Sequence, residues 1–190
     1  LVRGVRWHDG RPVTSADVKF TYEHVLLKYH ARTRAGLEDV LDAVDTPDPH
    51  TVVFRFKRPF GALLQRADVT EAPILPRHLY QGADVLQHPA NAAPVGTGPF
   101  RFKEWQRGAQ VTLVKNEAYF KRGVPMVDPL VFRVLPQPSL AVIALERGEV
   151  HYHDSVPAPD VRRLQATGAF TLLPTLAGPG GSFCISTAFP

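Results

Sequence analysis

Pro94-Val95-Gly96-Thr97-Gly98-Pro99-Phe100-Arg101-Phe102-Lys103-Glu104-Trp105 is the run on which the reading of this chain depends. Gly96 and Gly98 are expected to take backbone conformations closed to other residues, which makes the start of the run a tight turn. Pro99 fixes φ where the chain leaves that turn. Phe100 and Phe102 then alternate with Arg101 and Lys103, the period-two pattern of a half-buried strand. No Lys-Ser/Thr pair closes the run, so it is not a phosphate cradle. The Arg107-Gly108 turn follows, and Val111, Leu113 and Lys115 return as the second strand of a hairpin. A further strand is expected over residues 131–135.

Upstream, residues 2–7 read as a strand leading into an Asp9-Gly10 turn. Thr14 with Asp17 three residues on is close to a capping box and predicts a helix start. Val18, Tyr22, Val25, Leu26 and Tyr29 follow at helical spacing as one apolar stripe. Two alternating stretches between Val40 and Phe56 flank Thr46-Pro47-Asp48-Pro49-His50 and predict a hairpin, with Val52, Phe54 and Phe56 on one face and Val53 and Arg55 on the other. Residues 60–91, punctuated by Pro73, Pro76 and Pro89, predict brief helices packed on it.

Downstream, Ser139 is expected to cap a helix carrying Leu140, Ile143, Ala144 and Leu145, which Gly148 ends in the left-handed conformation. A strand is expected over 150–154. Pro159-Asp160 opens another helix over 161–166, ended at Gly168, before strands near 170–173 and 183–185. Strands alternate with helices in the last third and meander as hairpins before it. The fold class expected is therefore α/β, with a mixed sheet and an antiparallel α+β insertion.

Composition bounds the function. The 190 residues are 44% hydrophobic and 21% charged, a globular balance for one domain or slightly more. No apolar run reaches the ~18–20 residues of a membrane-spanning helix. The net charge of +4 is dispersed, with no block of like charges, and nucleic-acid binding is not expected. The single cysteine, Cys184, excludes an internal disulfide framework and a cysteine-based zinc cluster. The chain opens on Leu1 rather than Met and is expected to be a piece of a longer protein, in which an amino-terminal signal would lie upstream.

Several segments together resemble family 5 of the solute-binding proteins of bacterial ABC importers, the group that binds oligopeptides, dipeptides, nickel complexes and some sugars. The resemblance is carried by Leu1-Val2-Arg3-Gly4-Val5-Arg6-Trp7-His8-Asp9-Gly10 with the capped helix from Thr14, and by the run from Pro94 to Trp105. Asn116, Tyr119-Phe120, Gly123, Val127-Asp128 and the Ala144-Leu145 helix ending at Gly148-Glu149-Val150 complete it. It implies a lobe of the type II periplasmic-binding-protein fold, closing on its ligand against a second lobe absent from this chain. Residues 1–30 and 92–190 are expected to form the main lobe and 31–91 an inserted subdomain. The implied role is capture of a solute, oligopeptide or dipeptide first, and delivery to the permease subunits. The implied setting is periplasmic or lipid-anchored at the outer face of the cytoplasmic membrane, in a monomer with no cofactor. Nickel or metal-complex binding, oligosaccharide binding, and a sensory protein reusing the fold are the alternatives.

Trp105, Tyr119, Phe183 and Ser186 are the candidate ligand contacts. The first three are aromatics beside turns or near the end of the chain, and Ser186 stands where relatives usually carry Asn. Trp7, Tyr22, Phe54, Phe56, Phe100, Phe102 and Phe120 are spaced as core residues. His151 and His153 flank Tyr152 on an expected strand beside Asp154, which would place both imidazoles on one face as a weak metal pair lacking a third ligand. A metal-dependent hydrolase built on that cluster is the reading from another class. No set of nucleophile, base and orienting group supports it, and the adjacent His8 and Asp9 of a strand-and-turn point apart rather than forming a catalytic pair.

Overall fold

The computed structural model describes residues 1–67, 72–174 and 182–186, with Pro174 and 182–186 described by backbone alone. Its contacts gather into two units, Leu1–Phe132 and Arg133–Pro190, and its strands into three small sheets, so that the chain is mixed α/β.

In the first unit the expected opening strand is reduced to one bridge, Arg6 to Pro12, across the Asp9-Gly10 turn. Trp7 N–H donates to Arg11 O at 2.8 Å and Val13 N–H to Val5 O at 3.1 Å, so the segment folds back on itself. No other described strand takes its outer edge. The helix predicted at Thr14 begins as α1 (Ser15–Phe20), widens into a π turn at Thr21–Leu26, where Leu27 N–H reaches Tyr22 O, and ends as α2 (Leu27–Tyr29). A π turn holds an extra residue and shifts the phase of everything after it. That explains one departure from the stripe: Val18, Tyr22, Val25 and Leu26 are buried, whereas Tyr29 is turned out and 50% exposed. A third helix, α3 (Ala31–Leu37), follows.

The hairpin forms as β1 (Leu41–Asp48) and β2 (Thr51–Phe56), antiparallel. β1 runs on to Asp48, so the turn is shorter than expected. Pro47 lies in the register shift between Asp45 and Asp48, where a missing N–H costs no ladder bond. Val52, Phe54 and Phe56 are half-buried while Val53 and Arg55 are exposed, the alternation written in the sequence. This face and α1–α2 enclose a core of Val18, Tyr22, Leu26, Leu37, Val40 and Val44, with the Tyr22 and Phe54 rings edge-on at 4.9 Å. The brief helices beyond are 3-10 turns at Leu64–Arg66 and Pro89–Asn91 and a single turn of α-helix, α4 (Arg77–Tyr80). The second hairpin is β3 (Phe100–Gln106) with β4 (Gln110–Lys115), and β5 (Pro129–Arg133) joins β4 on its other side.

In the second unit α5 (Pro138–Glu146) starts ahead of Ser139, with Gln137 at the cap and Pro138 as the first helical residue. Proline has no N–H to leave unpaired and its φ already suits a helix, so it outcompetes Ser139 for the start. The expected strand over 150–154 shrinks to β6 (Tyr152–His153). α6 (Ala158–Thr167) ends at Gly168, which like Gly148 takes the positive φ that glycine alone adopts without strain. β7 (Phe170–Pro174) and β8 (Ser182–Ser186) complete the order β6-β8-β7, each pairing antiparallel. Val142, Leu145, Val156 and Leu164 form its core. Among the described residues no helix is long and apolar enough to cross a membrane.

Candidate functional site

The two most distinctive runs of the sequence meet in space. His8, at the head of the Asp9-Gly10 turn, donates its backbone N–H to Gly96 O at 2.8 Å. Its ring then spans the Gly96–Gly98 loop: Nδ1 accepts the Gly96 N–H at 3.1 Å and Nε2 faces Gly98 O at 3.0 Å. An acceptor at Nδ1 and a donor at Nε2 require the neutral imidazole with its proton on Nε2. Asn116, at the end of β4 and 7% exposed, closes the loop from the other side. Its amide donates to Gly98 O at 3.0 Å, and its own N–H donates to Pro99 O at 2.8 Å.

This arrangement corrects the expectation for the glycines. Neither Gly96 nor Gly98 has a positive φ. At Gly96 the constraint is approach, because a Cβ there would sit 3.3 Å from His8 Cε1; at Gly98 it would lie 3.9 Å from the nearest atom, Phe100 O. Gly96→Ala is therefore expected to lower stability by about 1 kcal/mol, as mild overpacking does, while Gly98→Ala is near neutral. Melting temperatures of the two variants check this, and equal values would refute the approach argument.

Electrostatics make the clamp pH-sensitive. Burial pushes the His8 imidazole below its ordinary value of 6.5; the bond to Gly98 opposes that shift, and the nearby Arg101 charge adds to it. A histidine whose native pKa is lowered contributes stability that is complete above 6.5 and is lost as pH falls from there toward the native value, because the unfolded chain takes the proton first. Melting temperature is expected to fall on acidification through that window, and less in His8→Gln; parallel curves for the two proteins would exclude His8 as the cause. Asp9 works lower down. Burial raises its pKa, but hydrogen bonds from His78 at 2.6 Å and from Arg11 N–H at 3.1 Å outweigh that, so the net shift is downward. The Asp9 to His78 link ties the turn to α4, a contact for which the sequence carries no periodic or motif signal.

Behind the clamp lies a cavity of about 170 Å³ lined by Trp7, His8, Arg101 and Asn116, among others. The Trp7 indole N–H is buried and meets no acceptor among the described residues.

Of the candidate contacts in this unit, neither Trp105 nor Tyr119 lines that cavity. Trp105 is 47% exposed near the tip of the β3–β4 hairpin, opposite Val111, with the Arg107 guanidinium 5.1 Å above its ring. Tyr119 follows the far end of β4, half-buried and edge-on to Phe120 at 4.7 Å. Trp105 and the Phe100–Lys115 end of the ladder are five strand residues apart, roughly 17 Å. Phe183 and Ser186 occupy β8, in register with Leu173 and Phe170, and their side chains lie outside the described residues. Of the expected core aromatics, Trp7 and Tyr22 are 3% exposed, but Phe120 is 40% exposed because it lies beyond the strand, in a turn. His151 falls outside the shortened β6, so the one-face pair is not formed by a strand. His153 Nδ1 accepts the Ser155 N–H at 3.2 Å and faces Asp154 at 3.5 Å. Among the described residues no three His, Cys, Asp or Glu side chains gather as metal ligands.

Comparison with known proteins gives these features a context. The chain is 32% identical over 181 residues to the oligopeptide-binding protein AppA of Bacillus subtilis, covering 93% of this chain and 33% of AppA. It thus spans about a third of the length of the curated relative it matches. The structure of that AppA in complex with a nonapeptide matches 91% of this chain and 34% of its own, with a TM-score of 0.79 and 29% identity. AgaA from A. tumefaciens R10, in complex with agropinic acid, matches at a TM-score of 0.78 and 35% identity over 90% of this chain and 34% of its own. NikZ from Campylobacter jejuni, in complex with Ni(L-His), matches at 0.77 and 26% over 91% and 34%. The model of the bacterial extracellular solute-binding proteins, family 5 Middle, aligns with residues 1–185. With both distinctive runs inside that alignment and folded against each other, the chain belongs to family 5 of the bacterial extracellular solute-binding proteins.

Proposed function

We propose that this chain is part of the substrate-binding component of an ABC importer, which captures a peptide outside the cytoplasmic membrane and delivers it to the permease. The observation that supports this most directly is the fold match, at a TM-score of 0.79, to a relative holding a nonapeptide. Capture rather than chemistry is the mechanism. In the whole protein, residues 1–30 and 92–190 belong to one lobe, with 31–91 inserted, and a second lobe closes on the ligand. Closure buries a peptide whose backbone groups are paired and whose side chains fill tolerant pockets, and the closed form is what the permease recognises. The junction of His8 with Gly96 and Gly98 gives such a lobe a fixed crossing point, because three hydrogen bonds hold two segments about 90 residues apart. Trp105, Tyr119, Phe183 and Ser186 remain the proposed ligand contacts.

The test is a thermal-shift screen of the complete protein against di- to pentapeptides, nickel with and without histidine, and oligosaccharides. A ligand that binds only the native state raises the melting temperature by mass action, about 2.7 kcal/mol of stabilisation at a hundredfold excess over Kd. A saturable rise with peptides is the expected outcome. A rise with nickel and histidine alone would favour the second reading, which the likeness to NikZ supports. No rise with any class would overturn the peptide assignment.

A further inference from the structure

A second feature of the first unit has no part in that reading. Along α1, the π turn and α2, one side faces α4 and the loop after it across a groove of about 480 Å³. That volume is within the range of small-molecule sites, and its walls are unusual in charge. Lys19 and Glu23 lie on the helical wall and largely cancel: Lys19 Nζ pairs with Glu23 at 3.0 Å and donates to Val44 O at 2.6 Å. Lys28 on the same wall is exposed and has no carboxylate partner among the described residues. Arg77 on the opposite wall uses Nε on Gln81 Oε1 at 2.9 Å, and its two terminal nitrogens have no partner among the described residues. His24 also lines the helical wall, its ring 5.6 Å from that of Phe20. The groove therefore offers an uncommitted cation on each side and one neutralised acid.

The walls are also aromatic. Phe20, Tyr29 and Tyr80 line the groove, Phe20 and Tyr80 only 8% and 4% exposed from the core, and Tyr29 is there because the π turn rotated it out of the core stripe. Wide turns of this kind are frequently retained at functional sites, since an ordinary α-turn would return the side chain to the core. Uncommitted cations on two walls with aromatic rings beside them suit an anion carried on a flat apolar body.

We propose that this groove binds a small aromatic carboxylate, the carboxylate held between Lys28 and Arg77 and the ring against Tyr29. It is independent of the peptide-capture reading. The probe is N-acetyl-L-phenylalanine, with N-acetyl-L-phenylalaninamide as the control that keeps the ring and removes the charge. Calorimetric titration of the complete protein at low ionic strength is expected to show saturable binding of the acid and at least about tenfold weaker binding of the amide. Lys28→Glu and Arg77→Glu, both on exposed side chains, are each expected to weaken the acid by about tenfold or more while leaving the peptide-induced thermal shift unchanged. Equal binding of acid and amide, or acid binding that survives both reversals, would overturn the assignment. Loss of the peptide response with acid binding intact would sink the transport reading alone, so the two failures are distinguishable.

Discussion

Asp17→Ala is expected to lower the stability of the first unit by about 3 kcal/mol, the larger part through a contact far away in sequence. The Asp17 carboxylate is 5% exposed. One oxygen accepts the Thr14 N–H at 2.8 Å and faces the Thr14 hydroxyl at 3.3 Å; the other accepts the Arg77 N–H at 2.9 Å. A single acid thus caps α1 and holds the first amide of α4, sixty residues on. Removing it deletes charge-assisted bonds and leaves two part-buried donors without their acceptor, which costs more than a lost surface cap of typically ~1 kcal/mol. Hydrogen exchange locates the effect. The amides of Thr14 and Arg77 should exchange about two orders of magnitude faster in the variant, by the conversion of ~1.4 kcal/mol per factor of ten. Asp17→Asn, which keeps one acceptor oxygen, should fall between. Unchanged exchange at Arg77 would mean that the acid serves only its own helix.

The half of this arrangement that the sequence shows is the local half. Thr14 and Asp17 three residues apart announce a helix start, because capping is a matter of spacing along one chain. The bond to Arg77 has no such signature, since nothing in residues 60–91 distinguishes one proline-led turn from another. The same division runs through the fold. Period two in β2 was legible residue by residue, for its alternation is imposed by one hairpin partner and one core. Period 3.6 in the first helix was legible only as far as Leu26, because a π turn changes the phase without leaving a composition that marks it. The opening strand and the strand at 150–154 are shorter than their composition suggests. β-rich composition states what a segment can do, and the length of ladder depends on whether a neighbour takes the edge.

For the site, the sequence marks the His8 run as a turn, which it is, but suggests for Gly96 and Gly98 a conformational role that their backbone angles do not show. A His-Asp pair invited a catalytic question, and two glycines invited a conformational one. Packing answers both together: Gly96 is small because the His8 ring lies on it, and the ring is neutral because it must accept there and donate to Gly98. Ligand contacts are harder to read, because an exposed aromatic such as Trp105 and a buried one such as Trp7 differ in neighbours rather than in sequence pattern.

Leu164→Ala is the second change with a large expected effect, and it tests the second unit. Leu164 is fully buried on the inner side of α6, packed with Val142, Leu145 and Val156 and bordered by Phe170 and Leu172 of β7. Leu164 is 0% exposed, so its truncation opens a space enclosed on every side. Deleting a fully buried leucine to alanine removes its transfer free energy and leaves a cavity, for about 2–5 kcal/mol in all. Among the described residues four fully buried side chains form this cluster, and the upper part of that range is expected. Leu164→Met, which conserves volume, should cost under about 1.5 kcal/mol. Hydrogen exchange over α6 and β7 in the complete protein reads both variants. The alanine should accelerate the slowest amides of these elements by at least about thirtyfold, and the methionine by about tenfold or less. Equal acceleration by the two would show that the packing around Leu164 is looser than its burial implies, and would shift the source of this unit's stability from the helix–sheet core to the β6-β8-β7 ladder.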